Sequence, residues 1–230
     1  MKDFFLNSVF FGVAISLVSY FIGTILKKKL KLQIFNPLLI SVILVILFLL
    51  ILKIDYSVYE KGAQYLGYLL TPATVCLAVP MYEQLNILKK NKTAILVGVL
   101  SGVITSLLLT LGLSAVFGLE HRDYVTLLPK SVTTAIGMEI SKGLGGYVPL
   151  TVATIVITGI LGNVIGELVL KIFCIKDPIA KGIGLGTSAH VVGTAKATEL
   201  GEVEGAMSGL SVVVAGVLTV IVGIIFSYFY

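Results

Sequence analysis

The sequence predicts an all-α, polytopic transmembrane protein with about 7–8 membrane elements, several of them discontinuous helices. Three observations carry this. Of the residues, 57% are hydrophobic and 13% charged, with mean hydropathy +1.05; aqueous domains average about 45–50% and about 25%. Long runs without an ionisable group alternate with short, lysine-rich loops. Three further apolar stretches are broken by proline or glycine and carry hydroxyls, as expected of discontinuous helices around a binding site. The 230 residues read as a single integral membrane domain, 1–230, with no linker or low-complexity stretch.

In chain order, residues 4–26 hold no ionisable group and are long enough to cross a bilayer. They lack a small-residue cleavage site and are expected to stay as a span. Lys27, Lys28, Lys29 and Lys31 follow and mark a cytoplasmic loop, which puts the amino terminus outside. Asn36-Pro37 reads as an N-cap followed by a first-turn proline, opening a second span over 37–54. Residues 55–61 read as an outer loop, and 62–85 as a broken element. Lys89, Lys90 and Lys92 return the chain to the cytoplasm. A clean span covers 93–117, with Gly98, Ser101, Gly102 and Thr105 as a small face suited to helix packing.

The second broken element covers 121–146. The span over 147–170 ends in Lys171, Lys176 and Lys181. For those lysines to be cytoplasmic, 121–146 must enter and leave on the outer side, and re-entry is the preferred reading. The third broken element is 178–201, and 206–226 is the last span, preceded by Glu202 and Glu204, which suit a helix N-terminus.

The stretch 127–146, LLPKSVTTAIGMEISKGLGG, carries the most information. Pro129 should end a helix near Leu128, and a new one can begin at Pro129 or Lys130 with free N–H groups. Broken backbone at membrane depth persists where it is buried in protein or lines a wet cavity. Two other stretches align with it. In 69–82, Pro72 falls on Pro129 and Thr74 on Ser131, at an offset of 57. In 184–201, Thr187 falls on Ser131, His190 on Thr134 and Gly193 on Gly137, at an offset of 56, with the break expected at Gly186. Pro72, Pro129 and Gly186 are therefore expected to converge.

Lys130 beside free helix amides would make an anion site; its bland alternative is an interfacial lysine that snorkels. Ser131, Thr133, Thr134, Thr74, Thr187, Ser188, His190 and Thr194 complete the candidate substrate-binding set. Glu139 and His190 are the candidates for proton or ion coupling. Against this, Glu139 can be a helix-end carboxylate reaching water, and His190 a neutral ring bonded to backbone. Glu167 with Lys171, and Lys196 with Glu199, have helical pair spacings.

Enzyme templates fail: there is no nucleophile elbow, no Walker loop, and no His/Cys/Asp set at metal-ligand spacing. GLGTSA at 184–189 lacks the preceding strand of a dinucleotide site. No catalytic residue, cofactor or metal is called for. Cys76 and Cys174 suit packed thiols. The net charge of +5 sits in short loops, with Arg122 the sole arginine, and reads as a topology signal, not a nucleic-acid surface. The chemistry favoured is recognition of a small polar or anionic solute.

These same residues resemble the LrgB/CidB family of antiholin-like membrane proteins. The resemblance lies in LLTPATVCLAVPMYEQ at 69–84, LLPKSVTTAIGMEIS at 127–141, TGILG at 158–162 and KDPIAKGIGLGTSAHVVGTAKATELGEVEGAMSGL at 176–210. It implies a multi-pass protein of the bacterial inner membrane that works in the lipid bilayer with a smaller, holin-like LrgA/CidA partner, and that self-association is open to it. Two functions come with the family. One is transport of small monocarboxylates such as pyruvate or glycolate, as in the related plastid glycolate/glycerate translocators. The alternative is modulation of murein hydrolase export and autolysis without solute transport. Where the family has Thr-Pro, this sequence has Thr133-Thr134 followed by Ala135, which implies a less kinked helix there.

Overall fold

The structure, a computed structural model, describes residues 8, 10–30, 37–69, 72, 75, 76, 82 and 85–230. All described elements are helical. The chain forms two compact units, 1–77 and 78–230, a division that no change of composition marks in the sequence.

In the first unit, α1 (Phe11–Leu30) packs on α2 (Pro37–Leu52) and α3 (Tyr56–Gly67). The run Lys27–Lys29 is the last turn of α1 and not a loop. The expected outer loop at 55–61 is instead the start of α3, led by Asp55 in extended geometry. Tertiary packing explains the difference: the Ser16 hydroxyl bonds the Tyr59 hydroxyl at 2.9 Å, and Gly12 lies directly against the Tyr59–Ala63 backbone. Thr74 and most of the 69–82 repeat lie outside the described residues, and Pro72 is exposed.

The second unit holds α4 (Leu85–Lys90), α5 (Lys92–Phe117), α6 (His121–Leu127), α7 (Thr134–Gly143), α8 (Val148–Ile172), α9 (Pro178–Leu200) and α10 (Glu202–Ser227). Length and hydropathy let α5, α8 and α10, like α1, cross a membrane. Gly118, left-handed at φ 61°, stops α5. Helices α5 and α10 run the same way. Ile95 lies with Leu210 and Val214 at one end, and the Tyr230 hydroxyl donates to the carbonyls of Ser114 (3.0 Å) and Leu119 (2.7 Å) at the other.

Helices α6 and α7 form a hairpin whose ends meet. Arg122 Nε donates to the Gly145 carbonyl at 3.1 Å, its guanidinium lies 3.9 Å from the Tyr147 ring centroid, and Tyr147 N donates to Thr126 Oγ1 at 2.8 Å. The two ends of this element therefore lie side by side, the geometry that the re-entrant reading requires. Its tip is 128–133, a pair of turns closed by Lys130 N to Leu127 O (3.1 Å) and Val132 N to Pro129 O (3.3 Å). Pro129 does end the incoming helix, but the next one starts at Thr134 and not at Pro129 or Lys130. The turn uses those residues, and Thr133 is extended at ψ 150°.

Helix α9 is also a hairpin, entering from the opposite end. Its backbone breaks at Ala189 (φ −128°, ψ 18°) and His190 (φ 44°, ψ −139°). Leu185 on the first leg clusters with Ala197 and Leu200 on the second and with Leu170 near the end of α8. Lys196 Nζ pairs with Glu167 at 2.8 Å and Lys181 with Glu204 at 3.9 Å, so both legs return to the α8-end, α10-start side. The break expected at Gly186 therefore falls at His190. Gly186 is helical because its job is contact: a Cβ there would come within 2.8 Å of Ser208 Oγ and also strike the Ser208 carbonyl.

The order in this unit is long helix α5, hairpin, long helix α8, hairpin, long helix α10. The offset of 56 seen in the sequence aligns the bounds of α5 and its hairpin with those of α8 and its own. Each copy joins one long helix to one hairpin, and since the two hairpins enter from opposite ends the second copy is inverted relative to the first. Inverted repeats of this kind place sites at the repeat interface, near the bilayer midplane.

Candidate functional site

Helix α5 is apolar over most of its length and offers Ser106 and Thr110 on one face, one turn apart. The tip of the α6–α7 hairpin reaches that face. Lys130 Nζ donates to Thr110 Oγ1 (2.8 Å), Ser106 Oγ (2.9 Å) and the Ser106 carbonyl (3.4 Å). Every one of these acceptors is neutral, and no carboxylate among the described residues pairs with Lys130. A desolvated ammonium with only dipolar partners is a costly arrangement.

Ser131, next along the tip, bonds Ser106 through their hydroxyls at 3.0 Å. From the opposite side, Thr187 comes down the first leg of α9 with its methyl against Gly102, where a Cβ would sit 2.7 Å from it. Ser106, Ser131, Thr187 and Thr219 share a closed cavity of about 10 Å³, walled by Val103, Leu107, Leu128, Val132 and Ala215. That volume is about one water. Thr187 is 6% exposed and its Oγ1 is a buried hydroxyl without a hydrogen-bond partner. The two tips thus meet at a hydroxyl-lined space that the structure holds shut.

His190 shapes the second tip and stands away from that cavity. Its Nε2 lies 3.0 Å from the Ile155 carbonyl, and since a carbonyl only accepts, Nε2 carries the proton. The ring rests on Gly159, where a Cβ would sit 2.7 Å from Nε2. Asn163 Nδ2 donates to the Val192 carbonyl at 2.9 Å, a second tie from α8 to the tip. The backbone-bonded histidine, the blander of the two readings, is the one the geometry matches.

The other expected residues scatter. Thr194 faces α10, with Oγ1 2.9 Å from Ser208 Oγ. Ser188 is exposed and donates to the Gly184 carbonyl within its own helix at 2.7 Å. Thr133 and Thr134 are half-buried at the start of α7; the Thr133 hydroxyl makes no cap bond, which leaves the first-turn amides of α7 available beside the tip. Glu139 is exposed on α7, bordering an apolar cleft of about 700 Å³ with Ile136, Ile140, Val220 and Ile224. It shares neither the Lys130 nor the His190 surroundings. Lys196 joins Glu199 at 3.4 Å as its spacing suggests, and bonds Glu167 more closely.

Ser106, Thr110, Thr219 and Asn163 are site or tip residues that sequence reasoning passed over. No signal in the sequence sets Ser106 and Thr110 apart from Ser101, Thr105 and Ser114, the other hydroxyls of the same helix at i, i+4 spacing.

A family model described as the LrgB-like family matches residues 16–229. The chain is similar to a Bacillus subtilis (strain 168) protein named antiholin-like protein LrgB, 39% identical over 216 residues, covering 94% of each chain. Proteins of the same name from Bacillus cereus (strain B4264) and Bacillus anthracis (strain CDC 684 / NRRL 3495) are each 37% identical over 214 residues, covering 93% of each chain. No solved structure matches.

Proposed function

The chain belongs to the LrgB-like family, and from that premise we propose that it carries small monocarboxylates of the pyruvate or glycolate kind across the bacterial cytoplasmic membrane, together with a holin-like LrgA-type partner. The observation that supports this is the Lys130 ammonium, held by three neutral oxygens at the meeting point of two hairpins that enter from opposite ends. A carboxylate entering between the tips gives Lys130 its counter-ion, with Ser131, Ser106 and the α7 amides completing the seat. Opening either hairpin in turn exposes the same seat to one side or the other, the logic of alternating access in inverted repeats. The amino terminus faces outward in this reading, since the lysine-bearing end of α1 then lies in the cytoplasm.

The test is uptake of labelled pyruvate, glycolate and lactate into proteoliposomes, with and without an LrgA-type protein. Saturable uptake that Lys130→Met weakens is the expected result; absence of flux in both preparations rejects transport. The second reading, modulation of murein hydrolase export and autolysis without transport, draws on the antiholin-like names of the relatives. It predicts that Lys130→Met leaves flux untouched and alters association with the partner alone.

A further inference from the structure

We infer that a groove at the start of α5 is a seat for an acidic glycerophospholipid. The groove is an apolar channel of about 400 Å³ between α5 and α10, floored by Ile95, Leu96, Leu210 and Val214, with Lys89 and Lys92 at its mouth. Both lysines are exposed and neither has an ion-pair partner among the described residues. Leu210 and Val214 are one helical turn apart, so the floor runs along the membrane normal, the direction of an acyl chain.

The two halves of the groove match the two halves of one molecule. The lysine stems lie along apolar surface while their ammoniums stay at the aqueous boundary. A phosphodiester between them accepts charge-assisted hydrogen bonds, and an acyl chain below fills the Ile95–Val214 floor. Among the described residues no carboxylate lines the groove, so there a phosphate finds two partners and a zwitterionic lipid's amine finds none. Basic pockets between helices at the cytoplasmic boundary bind acidic headgroups on the same physics. Ser106 lies ten residues further along α5, about 15 Å away, so this seat is separate from the hairpin tips and stands or falls independently of transport.

The test reconstitutes the full chain in nanodiscs of phosphatidylcholine with and without phosphatidylglycerol, then counts lipids retained after detergent extraction by native mass spectrometry. The wild-type protein should retain phosphatidylglycerol over phosphatidylcholine. The double variant Lys89→Gln/Lys92→Gln should lose that preference by about thirty-fold, at roughly fivefold per lysine. Lys176→Gln, an exposed lysine outside the groove, should keep it. Val214→Phe, which fills the floor and leaves both lysines, should lower retention of both lipids. A loss in Lys176→Gln equal to that of the double variant would reduce the effect to general surface charge and overturn the assignment. Unchanged retention in Val214→Phe would overturn it as well, leaving the groove to a partner helix.

Discussion

Ser131 and Thr187 hold equivalent positions in the two copies of the repeat, arrive from opposite ends of the molecule, and line one cavity. The asymmetry around them is as informative as the match. The residue before Ser131 is Lys130, an ammonium; the residue before Thr187 is Gly186, which presses on Ser208. One tip supplies charge and the other supplies close packing.

Lys130→Met removes a charge-assisted hydrogen bond to substrate, worth about 1.5–3 kcal/mol, and should raise the apparent KM for uptake by about ten- to a hundred-fold. Lys130→Arg keeps the charge with a different shape and should fall between. Concentration-dependent uptake measured in proteoliposomes checks both, and a folded Lys130→Met protein with wild-type kinetics would end the carboxylate seat.

Thr187→Val should move stability and transport in opposite directions. A buried hydroxyl without a partner costs about 1–3 kcal/mol, so its removal should raise the unfolding midpoint in detergent. The same change deprives an oxygen-bearing substrate of its second polar contact. Uptake of glycolate should fall relative to that of acetate, because a site built around a hydroxyl discriminates through it. Equal losses for both solutes would remove Thr187 from recognition.

His190 sits at φ 44° and ψ −139°, a backbone region that suits glycine and costs other residues of order 1–3 kcal/mol. Both His190→Gly and His190→Ala lose the bond to the Ile155 carbonyl, but only alanine keeps the strain. The glycine variant should be the more stable of the two by about 1–2 kcal/mol, the reverse of their helix propensities. Thermal unfolding of the pair checks the strain at the tip.

Gly184 and Gly186 lie two residues apart on one helical leg and should answer alanine differently. A Cβ at Gly184 meets nothing within 4 Å, so Gly184→Ala should stabilise by about 0.5–1 kcal/mol. At Gly186 the new methyl drives into the Ser208 backbone, and a loss of about 1–3 kcal/mol follows. Equal effects would mean that the α9–α10 contact is looser than described.

The comparison of these glycines also marks the limit of reading the chain unfolded. The break at Pro129 was legible because proline forbids the helix by local chemistry. The break at His190 was not, because nothing local demands it. It depends on the Ile155 carbonyl and on the room at Gly159, both on another helix. Gly186, the residue that looked like a breaker, serves contact instead. Ser106 and Thr110 were invisible for a related reason: hydroxyls in an apolar span commonly bond their own helix. What sets these two apart is a lysine delivered from twenty-odd residues downstream. The repeat was legible as an offset of 56, but its inversion was not, since alignment carries no direction. Glu139 reads in the sequence as an ionisable group at membrane depth, and folding puts it on the exposed face of α7.

A tether between the ends of the α6–α7 hairpin has a consequence for anyone mapping this protein in living cells. Arg122 reaches Gly145, which predicts that the loops on either side of residues 121–146 open on the same aqueous compartment. Reporter enzymes fused after Leu119 and after Gly146 should therefore give identical readouts, although a tally of greasy segments puts them on opposite faces. A membrane-impermeant thiol reagent should label cysteines introduced at both positions together, or at neither.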